Sequence, residues 1–331
     1  MPEIIVFMFF ASMICHSGRG QAVPKPNNLS YCIKLIRDLQ EKSAIGAQKT
    51  HPSSSAPFTN RRETAYNKQR FAALTHERSV FRLVLFLTSS PCSNDVPQDV
   101  DLPCILNREN GFVRRLRRVF PQNGELLIIA SDPESFEMND EMTKTFYGAL
   151  RHHGLFVSDI AVLDARNAQD AEALVRQSSM IILSGGHVPT ESAFFEAIGL
   201  RGLLEGYEGV VMGISAGTMN CAEVVYAQPE LDGESVDPDY QRFIPGLGLT
   251  GINVLPHYQQ VKDNILDGQR LYEDITYGDS YGHPFFALVD GSYIYVEDGR
   301  AEVFGEAYLI LDGKKHLFCV RGGHRPIKGM C

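Results

Sequence analysis

The residues that could do chemistry begin at Gly213-Ile214-Ser215-Ala216-Gly217. An apolar run, Val210-Val211-Met212, leads into this Gly-x-Ser-x-Gly, and small, helix-compatible residues follow it. A serine between a buried strand and a helix sits on a tight turn. Its hydroxyl projects from the carboxyl edge of a sheet, and the amides that open the helix lie beside it. That placement suits a nucleophile for acyl transfer; the plainer reading is a glycine-rich turn with an incidental serine. A nucleophilic serine also needs a base, a carboxylate to orient that base, and donors for the oxyanion.

His257 is the best base among the ten histidines, because it closes the apolar run Ile252-Asn253-Val254-Leu255-Pro256. That position is again a strand terminus; the alternative is a hydrogen-bonded loop histidine. His187 follows Gly185-Gly186 and reads as pocket wall, His152 and His153 end a helix, and His283 precedes Pro284 in a turn. For the orienting carboxylate, Glu230 is preferred because Pro229 fixes its loop, with Asp232 and Glu234 in reserve; Glu223 lies on the helix after the serine and could point away. The amide of Ala216 is the natural first oxyanion donor. The second is expected from Ser184-Gly185-Gly186, where glycine lets backbone approach a ligand closely. No GxGxxG and no Walker lysine is in the right place, so nucleotide binding is not expected.

These residues need a scaffold. Leu83–Leu87, Leu126–Ala130, Phe156–Leu163, Met180–Leu183 and Gly209–Met212 read as buried-type strands. Helical stretches near 112–120, 140–152, 168–177 and 190–198 alternate with them. The alternation predicts an α/β fold, a mainly parallel sheet flanked by helices on both faces. Ligands in such sheets bind outside the carboxyl ends of the strands, where Ser215 and Gly185-Gly186 both fall. Segments 285–288, 293–297, 301–304 and 308–311 are separated by Asp290-Gly291, Asp298-Gly299 and Asp312-Gly313, which predicts C-terminal antiparallel hairpins.

The 331-residue chain can bury a large core, and its formal net charge of -9 argues against a nucleic-acid surface. Arg114, Arg115, Arg117 and Arg118 interleave with Phe112, Val113, Leu116 and Val119 at helical spacing, which reads as the solvated face of an amphipathic helix. The seven cysteines are odd in number and widely spaced, with no CxxC, so a reducing, cytoplasmic setting is expected, and Cys221 is expected to pack. Ile4 to Cys15 is too short to span a bilayer, so no membrane association is expected. It resembles a signal-peptide core without a basic flank, which keeps secretion as the alternative. Residues 1–79 read as a polar, turn-rich arm, largely disordered or loosely attached apart from a helix at Tyr31–Lys42. There is no internal repeat.

Ser184-Gly185-Gly186, then Gly213-Ile214-Ser215-Ala216-Gly217, then Leu255-Pro256-His257-Tyr258, in this order and spacing, resemble the peptidase E family, serine peptidases that include aspartyl dipeptidases and cyanophycinases. The likeness runs from about Phe81 to Gly313, and Leu87-Thr88-Ser89-Ser90-Pro91 looks like the family's first strand and loop. It implies a class I glutamine amidotransferase-like fold over residues 80–313, with 314–331 as a tail. It implies a Ser-His-Asp/Glu triad without metal or cofactor. Ser215 corresponds to the nucleophile, His257 to the base, and an ungapped reading puts Glu230 as the acid; Ala216 and Gly185-Gly186 match the oxyanion donors. Where aspartyl dipeptidases carry a third glycine and then Asn-Thr, this chain has His187-Val188-Pro189-Thr190. That loop lies near the substrate in the family, so His187 and Thr190 are expected at the substrate, and aspartyl specificity is in question.

The expectation is a serine peptidase of small peptides, Asp-Xaa dipeptides among the candidates, with no nucleic-acid partner. A homo-oligomer is compatible with the chain. The alternatives are an α/β-hydrolase-type esterase and an inactive amidotransferase-like binding module.

Overall fold

The computed structural model describes residues 83–93 and 95–328. The N-terminal arm, the helix expected at Tyr31–Lys42, the apolar segment 4–15 and Cys15, Cys32 and Cys331 lie outside these residues. The labelled strands are β1 (Val84–Thr88), β2 (Glu125–Ile129), β3 (Asp159–Leu163), β4 (Met180–Leu183), β5 (Val210–Ile214), β6 (Asn253–Leu255), β7 (Phe285–Leu288), β8 (Tyr293–Glu297), β9 (Arg300–Phe304), β10 (Ala307–Leu311), β11 (Lys314–Cys319) and β12 (His324–Ile327). The labelled helices are α1 (Phe112–Val119), α2 (Phe136–His152), α3 (Ala171–Gln177), α4 (Val188–Ala197), α5 (Ala216–Met219) and α6 (Tyr258–Val261).

The main sheet has eight strands in the order β12-β9-β8-β1-β5-β4-β2-β3. β1, β5, β4, β2 and β3 run parallel, and β8, β9 and β12 extend the sheet antiparallel from β1. Every residue of β1, β4 and β5 is buried, as parallel strands covered on both faces require. Side chains alternate between two cores. Phe86, Ile128, Ile182 and Met212 pack with Phe112 and Leu116 of α1 and Phe146 and Leu150 of α2. Leu85, Leu127, Ile181 and Val211 face the opposite way, with Val175 of α3 and Phe194 and Phe195 of α4. On α1, Arg114, Arg117 and Arg118 are exposed, whereas Arg115 is half-buried and stacks 3.7 Å from the Phe304 ring centroid. His153, at the end of α2, is buried, and that burial lowers its pKa, so it serves the interior more than the helix dipole. Cys221 is fully buried and its thiol donates to Gly217 O, a packing role.

A second sheet, β6-β7-β10-β11, starts with two parallel strands and continues antiparallel. Residues 314–327, read from sequence as a weakly patterned tail, form β11 and β12, and β12 edges the main sheet. The three expected C-terminal turns divide in the same unforeseen way. Asp298-Gly299 and Asp312-Gly313 have positive φ at both residues and close the β8–β9 and β10–β11 hairpins. At Asp290-Gly291 only Gly291 has positive φ, and there is no hairpin: β7 belongs to the small sheet and β8 to the large one. The chain changes sheets at Asp290.

Candidate active site

Five strand ends converge. β1 ends at Thr88-Ser89, β4 at Ser184-Gly185-Gly186, β5 at Ser215, β6 at Pro256-His257 and β7 at Val289-Asp290. All are carboxyl ends of parallel-paired strands, the edge at which such sheets bind ligands.

Ser215 has φ 51° and ψ -112°, a conformation that L side chains rarely adopt, between the last residue of β5 and the first of α5. The turn closes because residues on either side of it have no side chain. A Cβ on Gly213 would lie 2.6 Å from Thr218 Cα, and one on Gly217 would lie 2.6 Å from the Leu183 carbonyl carbon. The Gly-x-Ser-x-Gly spacing therefore lets helix α5 fold back against β4 and β5, and the cost is strain stored at the serine. Its amide donates to Thr88 O (3.2 Å), and Thr218 Oγ1 donates to the same oxygen (2.8 Å).

His257 is also at positive φ (56°). Its amide donates to Ser89 Oγ (2.8 Å), so the last residue of β1, Thr88, and Ser89 after it anchor the backbones of Ser215 and His257. Its ring Nδ1 donates to Asp290 Oδ1 (2.6 Å). Because a carboxylate only accepts, Nδ1 carries the proton and the basic lone pair is on Nε2. Ser89 Oγ donates to the same Asp290 oxygen (2.7 Å), while Gln259 and Gln260 side-chain amides donate to Oδ2, each at 2.6 Å. Burial opposes ionisation of Asp290, but the hydrogen bonds from His257, Ser89 and Gln259 outweigh it and hold the carboxyl below its ordinary value.

The carboxylate on His257 is thus Asp290, and the choice of Glu230 is corrected. Glu230 lies in the 228–236 loop, where burial first, and then the Glu234 charge, push its pKa up to about 7 against the opposing pull of His187. Of its reserves, Asp232 is exposed and Glu234 is bonded to His187 Nε2 (2.8 Å). Asp290 carries no local mark of its place, because Asp-Gly between two apolar runs reads as a hairpin turn. The signal that could have found it is the fully buried Phe285–Leu288, a strand whose carboxyl end carries Val289-Asp290.

On the other side of Ser215, a Cβ on Gly185 would sit 3.2 Å from the serine Cβ, so the glycine loop lies directly against Ser215. Ser131 Oγ donates to Gly185 O (2.7 Å) and fixes the loop from behind. Among the described residues, the amides of Gly185, Gly186 and Ala216 donate to no protein acceptor. His187 and Thr190 are brought together: His187 Nδ1 is 2.9 Å from Thr190 Oγ1. Also among the described residues, no group of three or more His, Cys, Asp or Glu is arranged to hold a metal, and no helix is long and apolar enough to cross a membrane.

The model of peptidase family S51 matches residues 130–304, a span that includes Gly185-Gly186, Ser215, His257 and Asp290. The chain belongs to peptidase family S51. It is accordingly a serine-type peptidase, and the resemblance to peptidase E read from its motifs holds. A crystal structure of a peptidase from an acI-B1 Actinobacterium has a similar fold: TM-score 0.52 at 16% identity, over 74% of this chain and 96% of that one. A Listeria monocytogenes EGD-e protein assigned to peptidase E aligns at 18% identity and TM-score 0.45, over 66% of this chain and 96% of its own. No curated protein matches the chain in sequence. The family S51 match stops at the last residue of β9, so the closing strands β10 to β12 lie beyond it.

Proposed function

We propose that this family S51 peptidase hydrolyses small peptides through a Ser215-His257-Asp290 triad. His257 Nε2 takes the Ser215 proton as Oγ attacks the scissile carbonyl carbon. The amides of Ala216 and of the Gly185-Gly186 loop receive the oxyanion. The protonated imidazole, stabilised by the Asp290 carboxylate, returns its proton to the leaving amine. Water then repeats the cycle on the acyl-enzyme and releases Ser215. Asp290 stays ionised throughout, consistent with the hydrogen bonds that lower its pKa.

The observation that carries this reading is the 2.6 Å His257–Asp290 contact at the rim that holds Ser215, with both backbones hung on Thr88-Ser89. The test is covalent labelling by a fluorophosphonate. The wild type labels and hydrolyses short peptides; Ser215→Ala does neither and remains folded. Labelling of the alanine variant at the wild-type rate would refute the assignment. An inactive binding module would not label at all, and an esterase would turn over p-nitrophenyl esters while leaving peptides intact.

The charge beside the glycine loop bears on the substrate. Glu230 and Glu234 stand there, both His187 nitrogens are engaged, and Arg242 is committed to Asp279 (2.9 Å). An aspartyl side chain would meet carboxylates and no unpaired cation among these groups. Our reading therefore favours peptides with a neutral or basic residue over Asp-Xaa dipeptides, and comparison of kcat/KM for Asp-Xaa, Ala-Xaa and Lys-Xaa dipeptides decides between them.

A further inference from the structure

His187 sits immediately after the glycine loop and caps α4. Its ring does not offer a nitrogen to a substrate, because both nitrogens have protein partners. Nδ1 meets Thr190 Oγ1 at 2.9 Å, in the first turn of α4, and Nε2 donates to Glu234 Oε1 at 2.8 Å. The other oxygen of Glu234 accepts the backbone amides of Glu230 (2.8 Å) and Leu231 (3.0 Å). One carboxylate therefore ties the histidine to a turn 47 residues away in sequence. The pair is shielded from water, with side-chain exposures of 18% for His187 and 14% for Glu234.

The turn is held from its far side as well. Asp267 accepts the amides of Gly233 (2.8 Å) and Ser235 (3.2 Å) and the Ser235 hydroxyl (2.7 Å). A continuous set of hydrogen bonds thus runs from Asp267 through the 230–235 turn to Glu234, across to His187, and by one peptide bond to Gly186. Besides that link the glycine loop has Ser131 behind it and, on its C-terminal side, the Asn220 amide on Val188 O (3.3 Å), which is a residue further from the glycines than His187.

We infer that His187 and Glu234 form a clamp that positions the Gly185-Gly186 amides for the oxyanion, so that His187 acts as a positioning residue and not as a substrate contact. The inference rests on the serine-peptidase reading above. It replaces the substrate role that sequence suggested for His187 and Thr190. Thr190 belongs to the clamp through its hydroxyl. Loss of either end frees the loop, and a misplacement of about 1 Å in such a loop lowers the rate of bond formation by about 100-fold.

The test uses the full chain and a fluorophosphonate probe, with the rate of phosphonylation at saturation separated from probe affinity. His187→Ala, Glu234→Ala and the double variant are compared with wild type, with thermal unfolding as a check on folding. The expected result is a fall of about 10- to 100-fold in the saturating rate for each single variant, with probe affinity changed less than about threefold. The double variant should be no worse than the singles, because the two residues act as one unit. Thr190→Val, which leaves the Glu234 bond, gives a smaller fall in the same constant and serves if His187→Ala does not fold. The clamp is overturned by single variants that react at the wild-type rate, by an effect confined to affinity (a substrate contact), or by effects that multiply in the double variant. A wild type that does not label at all instead refutes the Ser215 assignment, so the two failures are distinguishable.

Discussion

Ser89 Oγ lies 2.7 Å from Asp290 Oδ1 and donates to it while accepting the His257 amide at 2.8 Å. One hydroxyl thus holds His257 by its backbone and Asp290 by its carboxylate. Ser89→Ala should lower kcat by about 10- to 100-fold with a small change in KM, because the imidazole and carboxylate lose a shared anchor. Steady-state kinetics on a cleaved dipeptide measure this; a change confined to KM would contradict it.

Asp290→Asn and Glu230→Gln separate the acid in contact with the base from the acid chosen by sequence. An amide at position 290 cannot hold the imidazole in the Nδ1–H tautomer as a carboxylate does, and kcat should fall by about 10⁴-fold. Glu230→Gln should retain kcat within about tenfold, since the carboxylate that holds the His257 Nδ1 is Asp290. The opposite ranking would return the role to Glu230.

Strain at Ser215 should be recoverable as stability. A positive-φ turn residue costs about 1–3 kcal/mol, and glycine adopts the same backbone without that cost. Ser215→Gly should therefore be inactive and more resistant to urea than the wild type. An unchanged or lowered unfolding midpoint would mean that the elbow is not strained.

Stability should fall as pH rises toward neutrality, and Glu230 should contribute to that slope. Its folded pKa of about 7 exceeds the ordinary 4.5, so the native state holds the proton more tightly than the unfolded chain. The contribution is fully present below about pH 4.5 and is lost as pH rises through about 7. It amounts to roughly 3 kcal/mol at most. The raised pKa values of Glu191 and His187 act in the same direction. Glu230→Gln should flatten the decline in Tm between about pH 5 and 8 without abolishing it. A variant with the wild-type slope would show that Glu230 ionises normally.

Much of this was legible because local patterns and tertiary structure agree. Met180–Leu183 reads as a continuous apolar strand and is one, since a strand buried on both faces has no reason to alternate. Ser215 was legible because the two flanking glycines are a steric requirement of its turn. His257 was legible as the residue that ends an apolar run. Asp290 was not, because its Asp-Gly pair is chemically identical to two true hairpin turns nearby; what differs is that β7 and β8 pair with different partners, a long-range fact. Lys314–Cys319 was missed for a related reason. Most of β11 is exposed at the edge of the small sheet, so it lacks the apolar alternation that marks a half-buried strand. Ser89 gave no signal, since a hydroxyl that bridges two distant residues leaves no trace in local spacing.

The change of sheet at Asp290 has a consequence for how hydrolytic power arises. Ser215 follows a strand of the large sheet and His257 a strand of the small one, and Asp290 occupies the crossing between them. A chain whose small sheet is not docked has the Ser215 hydroxyl and no oriented imidazole beside it. On the proposed triad, hydrolysis therefore requires both sheets to be in place, and neither sheet alone carries a complete site.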